Sequence, residues 1–334
     1  METVDHRLSL VNAWLTAHFA GKSFSLAPAS ADASFRRYFR VTVEGETFIV
    51  MDAPPDKENS EPFVRIAKLF AAAGAHVPRI IAQDLSQGLL LLSDLGQQTY
   101  LHVLNETNAD ELFRPAIDEL IKIQLASKPG MLPEYDEALL MRELNLFPDW
   151  YVAKHLQLVL NNEEKNVLQH AFKLIVENNL AQPKVYVHRD YMPRNLMIST
   201  PNPGVLDFQD AVYGPISYDI PSLFKDACIS WDEKQILDWT IRYWEKARKA
   251  GLPVNADFGA FYRDCEWMGL QRHLKVLGIF ARINYRDGKP HYLQDTPRFI
   301  AYVRKTCDRY RALGPLLKLF DEIEEIETKS GLTF

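Results

Sequence analysis

One stretch constrains this chain more than any other, the run Lys184–Ile220, which reads KVYVHRDYMPRNLMISTPNPGVLDFQDAVYGPISYDI. A short apolar segment leads into Asp190, and a polar loop brings Asn195 five residues later. A second apolar segment and a Pro/Gly turn then lead to Asp207. The pattern predicts a strand, a polar loop, a strand, a turn and another strand. This order can gather two carboxylates and one amide around one small volume.

Those three side chains are the types that phosphoryl transfer requires. One carboxylate can accept the proton of the nucleophile, while an amide and a second carboxylate can hold Mg²⁺ on nucleotide phosphates. The alternative is that they are ordinary polar residues of a loop, and this alternative weighs most for Asn195 because Asn is common in loops.

Composition limits the other function classes. The chain has 334 residues, enough for two lobes, and a net charge of −6 that gives no general attraction for nucleic acid. Its three cysteines show no CxxC pairing, which predicts reduced thiols. The amphipathic first 20 residues are not those of a signal peptide, and no apolar run is long enough to span a bilayer. We therefore expect a cytoplasmic protein without nucleic-acid, membrane or obligate protein partners.

The first 93 residues are predicted to contain a small sheet. Phe24–Leu26 can begin a strand, Pro28–Ser34 is a loop of small residues, and Phe35–Val43 with Glu46–Asp52 form a hairpin. Such a loop between strands often covers nucleotide phosphates, although this one lacks the glycines of GxGxxG.

The character of the chain changes near residue 94. Before it, short strands predominate, with a helix at Glu61–Gly74 and a strand at Gly88–Leu92. After it, helical patterns predominate, so we predict a nucleotide-binding lobe at 1–93 and a catalytic and substrate-binding lobe at 94–334. The helices predicted in the second lobe are Asp110–Ser127, Glu137–Leu146, Asp149–Leu160, Glu163–Leu180, Asp219–Ile229, Asp232–Ala250, Asp257–Tyr285 and Thr296–Ile326.

The run HRDYMPRN followed by LDFQDAVYGPISYDI resembles the aminoglycoside phosphotransferase and choline kinase family, small-molecule relatives of the protein kinases. Further matches, in RRYFRV, FIVMDAPP, RELNLFPDWY and LQRHLKVLGIFARINYRDGK, extend the likeness over most of the chain. These flanking segments resemble bacterial kinases that phosphorylate N-acetylmuramate and N-acetylglucosamine at C1 during cell-wall recycling. The resemblance implies an α+β, bilobal protein-kinase-like fold, with a small N-terminal antiparallel-sheet lobe and a larger, mainly helical C-terminal lobe.

The resemblance also implies roles for individual residues and the use of ATP and Mg²⁺. Asp190 matches the catalytic base, and Asn195 and Asp207 match the Mg²⁺ ligands. His188 and Asp219 match residues that support the catalytic loop, Asp219 as a buried brace.

One part of the kinase pattern is missing from the predicted first lobe. Kinases place a base on the third strand and pair it with a Glu on the next helix. Here the strand reads FIVMD and the helix begins with Pro62-Phe63, so both members are absent. We predict that Arg36, Arg37 or Arg40 supplies the missing charge, unless they are exposed arginines of a hairpin. Ser93 and Leu95, at the predicted boundary, are the other predicted nucleotide contacts.

The predicted substrate side lies in the second lobe. At 100° per residue, Arg272, Lys275 and Arg282 fall within roughly 80° of one another on one face of their helix. An arginine fork suits the lactyl carboxylate of N-acetylmuramate, although a solvated helix face is the common explanation of such a stripe. Glu143 is predicted to accept hydrogen bonds from sugar hydroxyls, with a surface ion pair as the alternative.

Two other functions stay open at this point. The first keeps the fold and changes the acceptor to an aminoglycoside, choline, homoserine or another hydroxyl compound. The basic stripe argues against a site for a cationic acceptor. The second is a nucleotide-binding regulator without catalysis, suggested by the absent ion pair and opposed by the complete set of Asp190, Asn195 and Asp207.

Overall fold

The computed structural model describes residues 5–31 and 35–331, with the backbone alone at 30, 31 and 325–331. Its contacts divide the chain into two compact units. The first comprises Met1–Ile123 and Arg194–Asp210, and the second comprises Gln124–Pro193 and Ala211–Phe334. The predicted boundary near residue 94 falls inside the first unit, and the division into lobes at 1–93 and 94–334 stays a prediction.

The described residues form nine strands and eleven α-helices. The strands are β1 (Phe24–Ala31), β2 (Arg37–Val43), β3 (Glu46–Asp52), β4 (Ile80–Asp84), β5 (Leu89–Ser93), β6 (Lys184–Val187), β7 (Leu196–Met197), β8 (Gly204–Val205) and β9 (Val212–Pro215). The α-helices are α1 (His6–His18), α2 (Glu61–Ala72), α3 (Tyr100–Val103), α4 (Ala109–Leu125), α5 (Glu137–Leu144), α6 (Asn162–Leu180), α7 (Asp219–Phe224), α8 (Glu233–Lys249), α9 (Phe258–Asp287), α10 (Thr296–Arg309) and α11 (Gly314–Gly331). A π-helix covers Phe147–His155, and short 3₁₀ segments occur at Pro193–Asn195, Pro290–Asp295 and Arg311–Leu313.

The first unit is built on an antiparallel sheet with strand order β1-β2-β3-β5-β4. Val11 and Leu15 of α1 are fully buried against Val41, Val50 and Leu91 of the sheet. Their spacing of four residues puts both α1 side chains on one face, which is the amphipathic pattern predicted for the first helix.

Two predictions for the small sheet had different outcomes. The bounds predicted for β3, Glu46–Asp52, are confirmed. The prediction of a loop at Pro28–Ser34 is wrong for its first half, because β1 continues to Ala31 and pairs with β2. Pro28 is tolerated there because β1 is an edge strand, where a missing N–H group costs no ladder hydrogen bond. The other half of the predicted loop, 32–34, lies outside the described residues.

Helix α9 is the central element of the second unit. Its middle, from Cys265 to Gly278, is buried almost without interruption. A side chain at Gly278 would place its Cβ 2.3 Å from the backbone of Leu146, so glycine is required where α9 meets the start of the π-helix. The short ladder of β6 with β9 carries the loop that contains Asp190.

Two helices predicted in the second unit differ from the structure. Asp149–Leu160, predicted as an α-helix, is a π-helix that begins at Phe147 and ends at His155. The single helix predicted at Thr296–Ile326 is broken, since α10 ends at Arg309 and α11 begins at Gly314, with Pro315 in its first turn. A proline in the first turn needs no intrahelical N–H bond, so Gly314-Pro315 favours a new helix start.

None of the helices in the described part of the chain has the length and hydrophobicity needed to cross a membrane.

Candidate active site

The loop after β6 carries Asp190 and is held by Asp219, the first residue of α7. The two oxygens of the Asp219 carboxylate accept backbone N–H groups, Oδ2 from His188 at 2.8 Å and Oδ1 from Arg189 at 3.0 Å. The backbone N–H of Asp190 points to Nδ1 of the buried His188 at 3.3 Å. The structure thus brings together the predicted base and both predicted support residues.

Asp219 is fully buried, and this changes its ionisation. Burial raises its pKa to about 7, the two backbone N–H groups oppose the rise, and the negative charge of Asp190 adds to it.

Arg189 has a φ of 75°, a left-handed conformation that is uncommon for a non-glycine residue. The loop backbone is therefore strained at Arg189, and the N–H group of Arg189 is satisfied by the Asp219 carboxylate.

Glu143 is the centre of a buried charged cluster beneath this loop. Its carboxylate accepts hydrogen bonds from Arg189 and from the hydroxyl of Tyr135, and its Oε1 lies 3.0 Å from Nζ of Lys275. The Lys275 ammonium also donates to the hydroxyl of Tyr218 at 3.2 Å. The alternative of a surface ion pair for Glu143 is therefore wrong, because Glu143 is buried and binds two cations.

The ionisation of this cluster follows from its pairing. Burial raises the pKa of Glu143, but the charges of Lys275 and Arg189 outweigh it, so the pKa lies below its ordinary value. Burial lowers the pKa of Lys275, but Glu143 together with Tyr218 and Asp190 raises it by more in total, so the ammonium keeps its proton. Glu143, Arg189 and Lys275 are all charged, so these three groups carry one more positive than negative charge.

The alternative explanation of the basic stripe on α9, a solvated helix face, is wrong for two of its three members, and substrate binding by the three stays a prediction. Arg272 and Lys275 are buried, and only Arg282 is half-buried. Arg272 lies against Asp226, at 3.9 Å between Nη2 and Oδ1, and against the sulfur of Met192. Arg272 and Lys275 face acidic residues of the second unit, Asp226 and Glu143, which helical periodicity alone cannot reveal.

In the first unit, Asn195 and Asp207 are in direct contact. Nδ2 of Asn195 donates to Oδ2 of Asp207 at 3.2 Å, and Nε2 of Gln209 donates to Oδ1 at 2.7 Å. Phe208 anchors this segment, since its ring lies 4.9 Å from that of Phe63. Sequence reasoning missed Gln209, although its position two residues after Asp207 was a usable signal.

The donor set of Asn195 and Asp207 fits Mg²⁺. Two amide N–H groups, from Asn195 and Gln209, orient the Asp207 carboxylate, and carboxylate and amide oxygens are acceptors of the type that Mg²⁺ binds. Mg²⁺ is commonly held by one or two carboxylates together with substrate phosphates and water. No cluster of three or more His, Cys, Asp or Glu able to bind a metal occurs among the described residues, so a site formed by protein carboxylates alone is not present there.

The predicted phosphate-binding arginines all have acidic partners in the first unit. Nε and Nη2 of Arg40 hold the Asp94 carboxylate, at 2.6 and 3.1 Å. Nε and Nη2 of Arg37 hold the buried Asp52 carboxylate, at 3.0 and 2.6 Å. Arg36, which precedes β2, lies 3.1 Å from Glu58. Their roles in nucleotide binding stay predictions.

The two other predicted nucleotide contacts also lie in the first unit. The Ser93 hydroxyl accepts the backbone N–H of Arg79 at 2.9 Å. The Leu95 side chain is packed so closely on Gly204 that a Cβ there would lie 2.8 Å from it. Both are engaged by their own unit, and a contact with nucleotide stays a prediction.

The sequence was compared with known families and proteins. The model of a family described as the phosphotransferase enzyme family matches residues 25–252. The chain is 56% identical over 300 residues to the N-acetylmuramate/N-acetylglucosamine kinase of Pseudomonas putida, covering 90% of this chain and 88% of that protein. It is 52% identical over 331 residues to the protein of the same name from Pseudomonas aeruginosa, covering 96% and 98%.

Solved structures show the fold. An ADP-bound aminoglycoside phosphotransferase, APH(2″)-Ib, matches 90% of this chain and 98% of its own, with a TM-score of 0.59 at 14% identity. An ethanolamine kinase of Plasmodium vivax matches 92% and 89%, with a TM-score of 0.62 at 11% identity. These matches, with the antiparallel sheet and the helical remainder, confirm the predicted α+β protein-kinase-like fold. The family match spans well over half of the chain and the two Pseudomonas proteins exceed 50% identity, so the chain belongs to the phosphotransferase enzyme family.

Proposed function

We propose that the chain is an ATP-dependent kinase that phosphorylates the anomeric C1 hydroxyl of N-acetylmuramate, N-acetylglucosamine or both, in peptidoglycan recycling. The observation that carries the proposal is identity above 50%, over nine-tenths or more of this chain, with two proteins named as kinases of these sugars. The use of ATP follows from the kinase names and the phosphotransferase family.

We assign the role of general base to Asp190. The oxygen of the C1 hydroxyl attacks the γ-phosphorus of ATP, the hydroxyl proton passes to the Asp190 carboxylate, and the bond from the γ-phosphorus to the bridging oxygen breaks to release ADP. An anomeric hydroxyl is more acidic than a ring hydroxyl, so a carboxylate is a sufficient base. The contacts of Asp219 with the loop backbone support a fixed position for Asp190, and such positioning supplies a large part of this type of catalysis.

Asn195 and Asp207 are the residues we assign to Mg²⁺. When bound, Mg²⁺ would offset charge on the transferred phosphoryl group and its neighbours. Gln209 holds one oxygen of Asp207 and acts as its positioning residue. We further propose a cytoplasmic enzyme, where ATP and recycled sugars are both available.

The test is a screen of amino sugars with ATP and Mg²⁺, with the product analysed by phosphorus NMR. A phosphate on C1 of N-acetylmuramate or N-acetylglucosamine is expected, with ADP formed in equal amount. Asp190→Asn should lose about a thousandfold in turnover, within the range of general-base contributions, and retain ATP binding by calorimetry.

Phosphorylation of a different hydroxyl, or of an aminoglycoside or choline and not of either sugar, would contradict the proposal. Near-normal turnover by Asp190→Asn would refute the assignment of the base alone.

A further inference from the structure

Beyond the groups assigned above, the pair Arg272 and Asp226 lies beside the loop that carries Asp190. Nη2 of Arg272 donates to the sulfur of Met192 at 3.6 Å, and Met192 comes two residues after Asp190. Asp226 follows the end of α7 by two residues, and the first residue of α7 is Asp219, which holds the same loop. Nη2 of Arg272 also lies 3.9 Å from Oδ1 of Asp226, so one guanidinium nitrogen reaches both Asp226 and this loop.

Both members of the pair are buried and incompletely hydrogen-bonded. Arg272 is 4% exposed and Asp226 is 6% exposed. Their nearest approach, 3.9 Å from Nη2 to Oδ1, is too long for a hydrogen bond. In addition, Nη1 of Arg272 and Oδ2 of Asp226 are buried with no hydrogen-bond partner. One guanidinium nitrogen and one carboxylate oxygen therefore stand unsatisfied next to the catalytic loop.

The contrast with Glu143 makes this arrangement informative. Lys275, one turn further along α9, is also buried, and its ammonium is paired with both Glu143 and the Tyr218 hydroxyl. The same helix therefore contains one charge that is fully engaged and another that is not. Buried polar groups are nearly always paired, and an unpaired one in a native fold calls for a ligand or another specific cause.

The two proposed sugars differ at one position in a way that fits this pair. N-acetylmuramate carries a lactyl ether with a carboxylate on O3, whereas N-acetylglucosamine carries a free hydroxyl on C3. A carboxylate is matched by a guanidinium donor, and a hydroxyl is matched by a carboxylate acceptor. One donor and one acceptor side by side can therefore serve both sugars.

We propose that Arg272 and Asp226 are the specificity-determining pair for the group on O3, with Arg272 binding the lactyl carboxylate of N-acetylmuramate and Asp226 accepting the C3 hydroxyl of N-acetylglucosamine. This inference rests on the proposed function. It assigns opposite preferences to the two members, because the charge of Asp226 repels the carboxylate that Arg272 attracts.

The test measures kcat/KM for both sugars in the wild type, Arg272→Gln and Asp226→Asn. The ratio of kcat/KM for N-acetylmuramate to that for N-acetylglucosamine should fall about tenfold or more in Arg272→Gln and rise about fivefold or more in Asp226→Asn. The ratio is unaffected by the fraction of folded enzyme, since both sugars are assayed on one preparation. Arg272→Lys, which keeps the charge and loses the fork, should recover part of the ratio lost in Arg272→Gln.

Two exposed residues provide matched controls, Arg263→Gln at the start of α9 and Asp308→Asn on α10. Both should keep the wild-type ratio. An unchanged ratio in either Arg272→Gln or Asp226→Asn, or turnover of only one sugar by the wild type, would overturn the inference. Turnover of neither sugar by the wild type would refute the proposed function instead, so the two failures are distinct.

Discussion

The arginines of the first unit and the charged cluster of the second unit are both held by carboxylates, but they differ in burial. Arg37 has a side chain 36% exposed and Arg40 one 20% exposed, whereas Glu143 and Lys275 are almost completely enclosed. Exposed ion pairs contribute about 0–1 kcal/mol, while removing one partner of a buried pair costs about 3–5 kcal/mol, so a partly exposed arginine on a buried carboxylate should fall between these values. The same pairing chemistry is therefore expected to contribute less to stability in the first unit than in the second.

The largest expected effect is on the buried cluster. Glu143→Gln leaves the guanidinium of Arg189 and the ammonium of Lys275 buried without their carboxylate. We expect the free energy of unfolding to fall by about 3–5 kcal/mol, measured by urea denaturation. Glu137→Gln, at an exposed position of the same helix, is the matched control and should cost less than about 1 kcal/mol. Equal losses in the two variants would show that the Glu143 cluster is not a buried charge network.

A smaller effect is expected from the pH dependence of Asp219. Its pKa is raised from 3.8 to about 7 in the folded protein, so between these values the folded state binds the extra proton. The stability from this group is fully present below pH 3.8 and is lost as the pH rises through 7. The stability of the wild type relative to Asp219→Asn should therefore fall by about 2–3 kcal/mol from pH 5 to pH 8, measured by urea denaturation at each pH. Parallel pH curves for the two proteins would contradict this assignment.

The smallest effects are expected from the arginines of the first unit. Arg37 and Arg40 each hold a largely buried carboxylate through two nitrogens, so alanine there should cost about 1–2 kcal/mol and leave the KM for ATP within about twofold. Replacing Arg36 by alanine should raise the KM for ATP about tenfold, because its partner Glu58 lies outside the sheet.

Steady-state kinetics with varied ATP and thermal melting separate these outcomes. Three unchanged KM values would refute the idea that an arginine replaces the missing strand base. A raised KM for ATP in Arg37→Ala or Arg40→Ala, with no change in Arg36→Ala, would contradict the expectation that Arg36 has the largest effect on ATP binding.

Local sequence patterns predicted most secondary-structure elements, while the protein-kinase-like fold was predicted from the family resemblance. The bounds of β3 and the existence of most helices followed from periodicity, and the spacing within Lys184–Ile220 identified Asn195 and Asp207, which are in contact. These features depend on residues close in sequence, where side-chain period and turn chemistry decide the outcome.

The features that sequence missed depend on contacts across the chain. Lys275 was predicted to bind substrate, with a solvated helix face as the alternative, and its partner Glu143 was missed because it is more than a hundred residues away. Asp226 was not predicted, since its local sequence does not distinguish it from a surface acid. A role for Asp226 is indicated only by its proximity to Arg272 in the structure. Burial of charge is decided by tertiary pairing, which helical periodicity does not contain.

The crowding of α9 has an evolutionary consequence. Within seven residues this helix carries Arg272, Lys275 and Gly278, which meet Asp226, Glu143 and Leu146 respectively. Because each of these positions is tied to a different segment, a substitution at any of them is tolerated only with a compensating change elsewhere. Among relatives that diverge in acceptor, the Arg272 and Asp226 positions are expected to vary together, while Gly278 stays invariant.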